Sequence, residues 1–169
     1  RIPTSWLISL DTVCSLLALI ALLRFSRRGI GRMDDLLGIS LGGLVVALSY
    51  MMLVGASLTT SGPLGVDFRW LMAFHILNGI GFAFVIPMGL SIYTRLAPPG
   101  FPASMLGLFY LQYAVANLLA GGVGGLPSKL EAVDFWALHA VIVATGAAAV
   151  SFLRPFLRRS LAVEDGPRA

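Results

Sequence analysis

The sequence predicts an all-α integral membrane protein with five transmembrane helices, and three observations carry that prediction. Of 169 residues, 57% are hydrophobic and only 12% charged, with a mean hydropathy of +0.88; soluble domains carry about 25% charged residues. Several apolar runs reach the roughly 20 residues that a bilayer-spanning helix needs. The runs are continuous rather than alternating, so of the two structures that satisfy their backbone inside lipid, helix and closed barrel, the helix fits.

The first span is expected over residues 4–23. Pro3 suits a helix start, where its missing N–H costs nothing. The span ends in a basic cluster of Arg24, Arg27, Arg28 and Arg32, with Gly29 and Gly31 breaking the helix. Asp34 and Asp35 then supply an N-cap and a first-turn carboxylate for the second span, 36–58. A polar loop with Ser61-Gly62-Pro63 leads to an N-cap at Asp67 and the third span, 68–96. Pro87 inside it predicts a bend. A Pro98-Pro99-Gly100 turn precedes the fourth span, 103–126. Lys129, Glu131 and Asp134 mark the loop before the fifth, 135–153. The bundle is thus placed at residues 1–157, and 158–169 reads as a polar cytoplasmic tail.

The net charge of +4 lies almost wholly beyond the helix ends, where topology signals lie, and not on a nucleic-acid-binding face. With the first loop cytoplasmic, that side holds nine arginines: Arg24, Arg27, Arg28, Arg32, Arg95, Arg154, Arg158, Arg159 and Arg168. The other side holds three basic residues, Arg1, Arg69 and Lys129. This positive-inside bias predicts a cytoplasmic C-terminus in the inner (plasma) membrane. Without an initiating Met or a signal peptide, the chain reads as a piece of a longer protein. The single cysteine, Cys14, lies in an apolar run and forms no internal disulfide.

Gly38-x-x-x-Gly42, Gly79-x-x-x-Ala83, Ala116-x-x-x-Ala120 and Gly121-x-x-x-Gly125 are small-residue faces suited to close helix packing, within one bundle or between copies. Asp11 lies about 10 Å inside the first span. A carboxylate there has to face a bundle interior or a wet cavity, and such residues mark solute or ion paths; the competing reading is a structural polar contact. Ser15 extends its face by one turn. His75, Asn78, Phe82, Ile86 and Gly89 share one face of the third span. Phe109, Gln112, Tyr113 and Asn117 repeat that mixture of aromatics and amides on the fourth, which suits a pocket for a polar organic ligand as well as interhelical packing. His139 reads as structural. No metal spacing, nucleophile elbow or phosphate-cradling loop occurs, so neither an enzyme nor a cofactor is expected.

Several motifs in order resemble the proton-dependent oligopeptide transporter family, the peptide branch of the major facilitator superfamily. Pro87-x-Gly89-Leu90-Ser91 resembles the end of the family's G-E-L-x-x-S-P-x-G-L-S, with Gly81 matching its first glycine. Thr94-x-Leu96-Ala97-Pro98 is similar to T-K-L-A-P, and Met105-x-Gly107-Leu108 to M-G-L-W-F. Asn117-x-Leu119-Ala120-Gly121 follows G-N-x-x-A-G, and Ile2-Pro3-x-x-Trp6-x-x-Ser9-x-Asp11 resembles I-P-x-x-W-x-x-S-x-N. The resemblance covers nearly the whole chain and implies spans eight to twelve of a twelve-span core. It implies proton-coupled uptake of di- or tripeptides by alternating access, with protons, the bilayer and the N-terminal half of the same transporter as partners.

The departures from the pattern bear on function. Phe82 stands where the family has a Glu used in substrate binding and proton coupling, and Ile86 replaces a Ser. Phe109 replaces a pocket Trp, and Asp11 replaces an Asn. The acidic role is therefore expected to have moved to Asp11 on the first span. The cavity is expected to be lined by Asp11, Asn78, Phe82, Ile86, Phe109, Tyr113 and Asn117. The family's E-x-x-E-R signature belongs to the half absent from this sequence. Two other readings stay open: a divergent transporter that moves another small organic solute or exports it, and a non-transporting membrane partner or assembly subunit.

Overall fold

The computed structural model describes residues 4–27, 34–59, 67–125 and 130–164, with backbone alone at 4–8, 11, 25–27 and 159–164. The basic turn after the first span, the Ser61-Gly62-Pro63 loop, Lys129 and the end of the tail lie outside the described residues. Five helices follow one another: α1 (Thr4–Arg27), α2 (Asp35–Thr59), α3 (Phe68–Arg95), α4 (Pro102–Val123) and α5 (Ala132–Glu164). Among the described residues there is no strand. The helices are apolar nearly all round, as helices are that face lipid as well as one another. Asp35–Thr59, Phe68–Arg95, Pro102–Val123 and Ala132–Arg158 are each long and apolar enough to cross a bilayer. In α1 the apolar stretch counted on described side chains, Thr12–Arg24, is shorter, although the helix itself runs 24 residues. The molecule is of the all-α, multi-pass membrane class.

Helix α2 is the centre of the bundle, packed against α3 on one side and α5 on another. α1 leans on α3, and α4 is seated mainly against α3. Glycine permits two of these crossings. A Cβ on Gly42 would lie 2.8 Å from the Gly81 carbonyl oxygen, and one on Gly79 2.9 Å from the Cys14 Cβ of α1. Between α2 and α5, the buried Ser40 donates its hydroxyl to the Ala147 carbonyl at 3.0 Å and also pairs with the Ser151 hydroxyl. Inside lipid such groups have no water to turn to, and no described buried side-chain polar atom lacks a partner.

The caps follow the sequence in part. Asp67 Oδ1 accepts the Arg69 N–H at 2.9 Å, as an N-cap does. Pro98 to Phe101 form a turn closed by Phe101 N–H to Pro98 O at 3.0 Å, with Gly100 at φ 91°. That is a type II turn, which takes Pro at its second position and a positive φ at its third. Asp35 stands in the first turn of α2 as expected, whereas the Asp34 side chain is taken up elsewhere. The Asp34 backbone carbonyl opens α2, accepting Gly38 N–H at 2.9 Å, but both carboxylates reach sideways to other helices. Asp34 Oδ2 lies 2.7 Å from Arg154 Nε and 3.6 Å from Arg158 Nε on α5. Asp35 Oδ2 lies 3.0 Å from Arg95 Nη2 and accepts the Ser91 hydroxyl at 2.9 Å, both on α3. A guanidinium partner outcompetes the weaker cap.

Pro87 leaves α3 unbroken. α5 likewise runs on through Pro155 to Glu164, where the sequence had placed a helix end at Leu153 and a tail from residue 158. A proline removes one backbone bond without ending a membrane helix whose neighbours hold it, and Arg154 and Arg158, tied to Asp34, hold this one. At the opposite end of the bundle, Tyr50, Phe74, Trp136 and His139 cluster from three helices, with Tyr50–His139 ring centroids 5.3 Å apart. His139 Nδ1 lies 2.8 Å from the Phe135 carbonyl. A carbonyl only accepts, so Nδ1 carries the proton, and the ring is fixed in place as a structural group.

Candidate functional site

On α3, steps of three and four residues carry one face from His75 through Asn78, Phe82, Ile86 and Gly89 to Tyr93. The lower half of this face, from Ile86 to Tyr93, meets α4. Gly89 makes the contact: a Cβ there would lie 3.2 Å from Phe109 Cε2, so its absence lets the ring lie against the α3 backbone. Phe109 is the buried residue of α4. Its ring meets Tyr93 edge-on at 5.5 Å and lies 6.4 Å from Tyr113. Beside it, the Tyr93 hydroxyl donates to Gln112 Oε1 at 2.7 Å, a bond between the two helices.

These side chains line a half-open cavity of about 240 Å³, formed by Ile86, Gly89, Tyr93, Phe109, Gln112 and Tyr113, with Val85 and Ile92 beside them and Ile39 of α2 opposite. Its walls are mostly apolar and none of its lining side chains is an acid or a base that carries charge at neutral pH. The Tyr93 bond uses one lone pair of the Gln112 carbonyl oxygen, so that side chain offers a solute its amide NH2 and one remaining lone pair. Such a site fits an apolar side chain or a neutral amide. It cannot neutralise an ammonium or a carboxylate, and a charged solute needs its counter-charge from elsewhere.

Of the residues expected to line a cavity, the structure brings Ile86, Phe109 and Tyr113 together here, with Gly89 and Gln112 from the same two helical faces. Asn78 is buried two to three turns further along α3, about 16 Å from Gly89 by helical rise. Phe82 is half-buried between them; neither lines the cavity. Asn117 lies one turn beyond Tyr113 on the exposed face of α4, with its amide donating to the Tyr113 carbonyl at 3.0 Å. Asp11 belongs to α1 by its backbone, and its side chain lies outside the described residues. It sits one turn before Cys14 and Ser15, the point where α1 touches Gly79 of α3. Sequence reasoning missed Tyr93. The signal was available, since one more step of four from Gly89 reaches it.

A helical, multi-pass membrane protein with an amphipathic cavity between two of its spans is the class that fold and site define. No family model matches the chain. It is 26% identical over 122 residues to the uncharacterized transporter YclF of Bacillus subtilis, covering 72% of this chain and 25% of that one. It is 33% identical over 75 residues to the peptide transporter YePEPT of Yersinia enterocolitica, covering 44% and 15%. A di-/tripeptide transporter of Lactococcus lactis is 24% identical over 102 residues, covering 60% and 20%. The chain therefore spans a quarter or less of the length of these relatives. Its similarity is to transporters, two of them named for peptides, in agreement with the resemblance to the oligopeptide transporter family.

Proposed function

We propose that the chain is the C-terminal part of a secondary active transporter that takes up di- or tripeptides with protons. In this reading α1 to α5 are spans eight to twelve, and the remaining spans form the other half, against which they rock about a midplane site. The arginine bias along the chain supports a cytoplasmic C-terminus in the inner membrane. The observation that carries the reading is the likeness to named peptide transporters. The cavity's chemistry agrees with it, since an apolar wall with one amide suits the side chain and peptide bond of a small peptide. Asp11 is the proposed proton-carrying and charge-compensating group, in place of the carboxylate that Phe82 lacks. Asn78 and Phe82 line the path above the cavity, and Asn117 lies one turn beyond it on α4.

Uptake of labelled dialanine by proteoliposomes of the full-length protein tests this. An inward proton gradient is expected to drive accumulation that unlabelled dipeptides compete away. Equal uptake with and without the gradient removes proton coupling. Accumulation that no dipeptide competes with removes the peptide and leaves another organic solute.

A further inference from the structure

Among the described side chains, the cluster around Asp34 at the start of α2 carries more positive charge than its carboxylate compensates. Asp35 is matched to one guanidinium, Arg95, with the Ser91 hydroxyl on the same oxygen. Asp34 is not matched in this way. Its Oδ2 faces two guanidinium groups of α5, Arg154 at 2.7 Å and Arg158 at 3.6 Å. One carboxylate balances one of them. The nearer, Arg154, is mostly covered, whereas Arg158 has a side chain 61% exposed at a longer distance. The surplus charge is therefore that of Arg158, one helical turn beyond Arg154 and at the membrane surface.

Below this pair an apolar track runs down α2. Leu37 is half-buried, and Leu41, Leu44 and Leu48 are 43%, 47% and 48% exposed, at steps of three and four that keep them on one face. From Leu37 to Leu48 the track is about 16 Å long by helical rise, close to the depth of one leaflet of a roughly 30 Å hydrocarbon core. The opposite sides of α2 are occupied: Gly42 and Val46 face α3, and Ser40 and Gly43 face α5. The leucine face is left exposed by the described helices, and it runs down from the helix end where Asp34 meets its two arginines.

From this juxtaposition we propose that Arg158 and Arg154 hold the phosphate of an anionic phospholipid, with an acyl chain laid along Leu41, Leu44 and Leu48. Guanidinium forks grip phosphate oxygens two at a time, and basic pockets between membrane helices take acidic headgroups. Asp34 has a defined part in this site. It holds Arg154 against α2 and so orients the pair, and it repels a second anion, which limits the site to a single phosphate. The site is distinct from the α3–α4 cavity and does not depend on what that cavity transports.

The test is native mass spectrometry of the full-length protein, in neutral detergent, with equal amounts of dioleoyl phosphatidylglycerol and dioleoyl phosphatidylcholine. The wild type is expected to retain phosphatidylglycerol in preference. Arg158→Gln is expected to cut that preference about fivefold, the share of one arginine near an acidic lipid, while Arg158→Lys keeps most of it. Arg158 is exposed, so its loss leaves the helical circular dichroism unchanged. Arg69→Gln, at the other end of the bundle, is expected to change nothing. The absence of any preference in the wild type overturns the proposal, as does an equal loss in Arg69→Gln or no loss in Arg158→Gln. Inorganic phosphate at millimolar concentration is expected to leave the lipid bound; if it displaces phosphatidylglycerol, the site is one for a free anion and the lipid reading is overturned.

Discussion

At the scale of single residues, the glycines of this chain divide by what lies opposite them. At Gly81 an added Cβ would lie 2.8 Å from the Gly42 carbonyl oxygen and collide with the Val46 side chain, and the carbonyl is backbone that cannot swing aside. Gly81→Ala is therefore expected to push α2 and α3 apart and to destabilise the bundle by about 1–3 kcal/mol, the usual range for overpacking. Gly107 is on α4 with nothing within 4 Å of its added Cβ. Gly107→Ala is expected to stay within about 0.5 kcal/mol of the parent, as exposed substitutions do. Thermal unfolding in detergent distinguishes the two, and equal midpoints would show that the α2–α3 crossing is not as close as the geometry places it. The sequence marks both positions as small. It does not say which of them faces another backbone, because that depends on which helices cross.

At the scale of helices, α4 stands apart. α2 and α3 are gripped by glycine crossings, and α2 and α5 by the pairing of buried Ser40 with Ser151 and by two arginines, while α4 is held by one buried aromatic and one Tyr93–Gln112 bond. Between helices in lipid there is no hydrophobic drive, so attachment rests on packing and on hydrogen bonds. Phe109→Ala removes the packing at the Gly89 notch. In water-soluble cores Phe→Ala costs about 3–5 kcal/mol; with the transfer part absent in lipid, about 1–2 kcal/mol is expected here. That loss falls on α4 alone. Backbone hydrogen exchange in nanodiscs is expected to rise several-fold along Pro102–Val123 and to stay constant in Asp35–Thr59. A uniform rise across both helices would mean that Phe109 holds the whole bundle together. The existence and length of these helices were legible from apolar runs, caps and the Pro-Pro-Gly turn. The fate of the Asp34 carboxylate was not, since an acid at a helix start reads as a cap until an arginine more than a hundred residues away is seen beside it. The sequence likewise ends the fifth span at Leu153, whereas α5 runs on to Glu164.

At the scale of the whole molecule, the distribution of charge decides how a bundle of this kind could couple a solute to protons. The cavity between α3 and α4 carries no carboxylate, and Phe82, where the resembled family has a Glu, is a half-buried ring. The cavity itself was half legible: Ile86, Phe109 and Tyr113 come together as the shared helical faces implied, whereas Asn78 and Asn117 are spaced too far along their helices to join them. The described carboxylates Asp34, Asp35, Asp67, Glu131 and Asp134 lie at helix ends. Asp11 alone among the acidic residues is placed well within a span, one turn from the contact of α1 with Gly79. If it carries the coupled proton, Asp11→Asn abolishes gradient-driven accumulation of dialanine in proteoliposomes while leaving counterflow exchange, which moves solute without net proton transfer. Uptake by the wild type is then expected to vary with pH across the range in which the carboxyl titrates, and uptake by Asp11→Asn to be flat across it. Asparagine keeps the shape and much of the hydrogen bonding of the acid, so a structural role would survive the change with both activities intact. Unaltered accumulation and an unaltered pH profile would return Asp11 to a packing contact, and the coupling group would then have to lie in spans beyond these five.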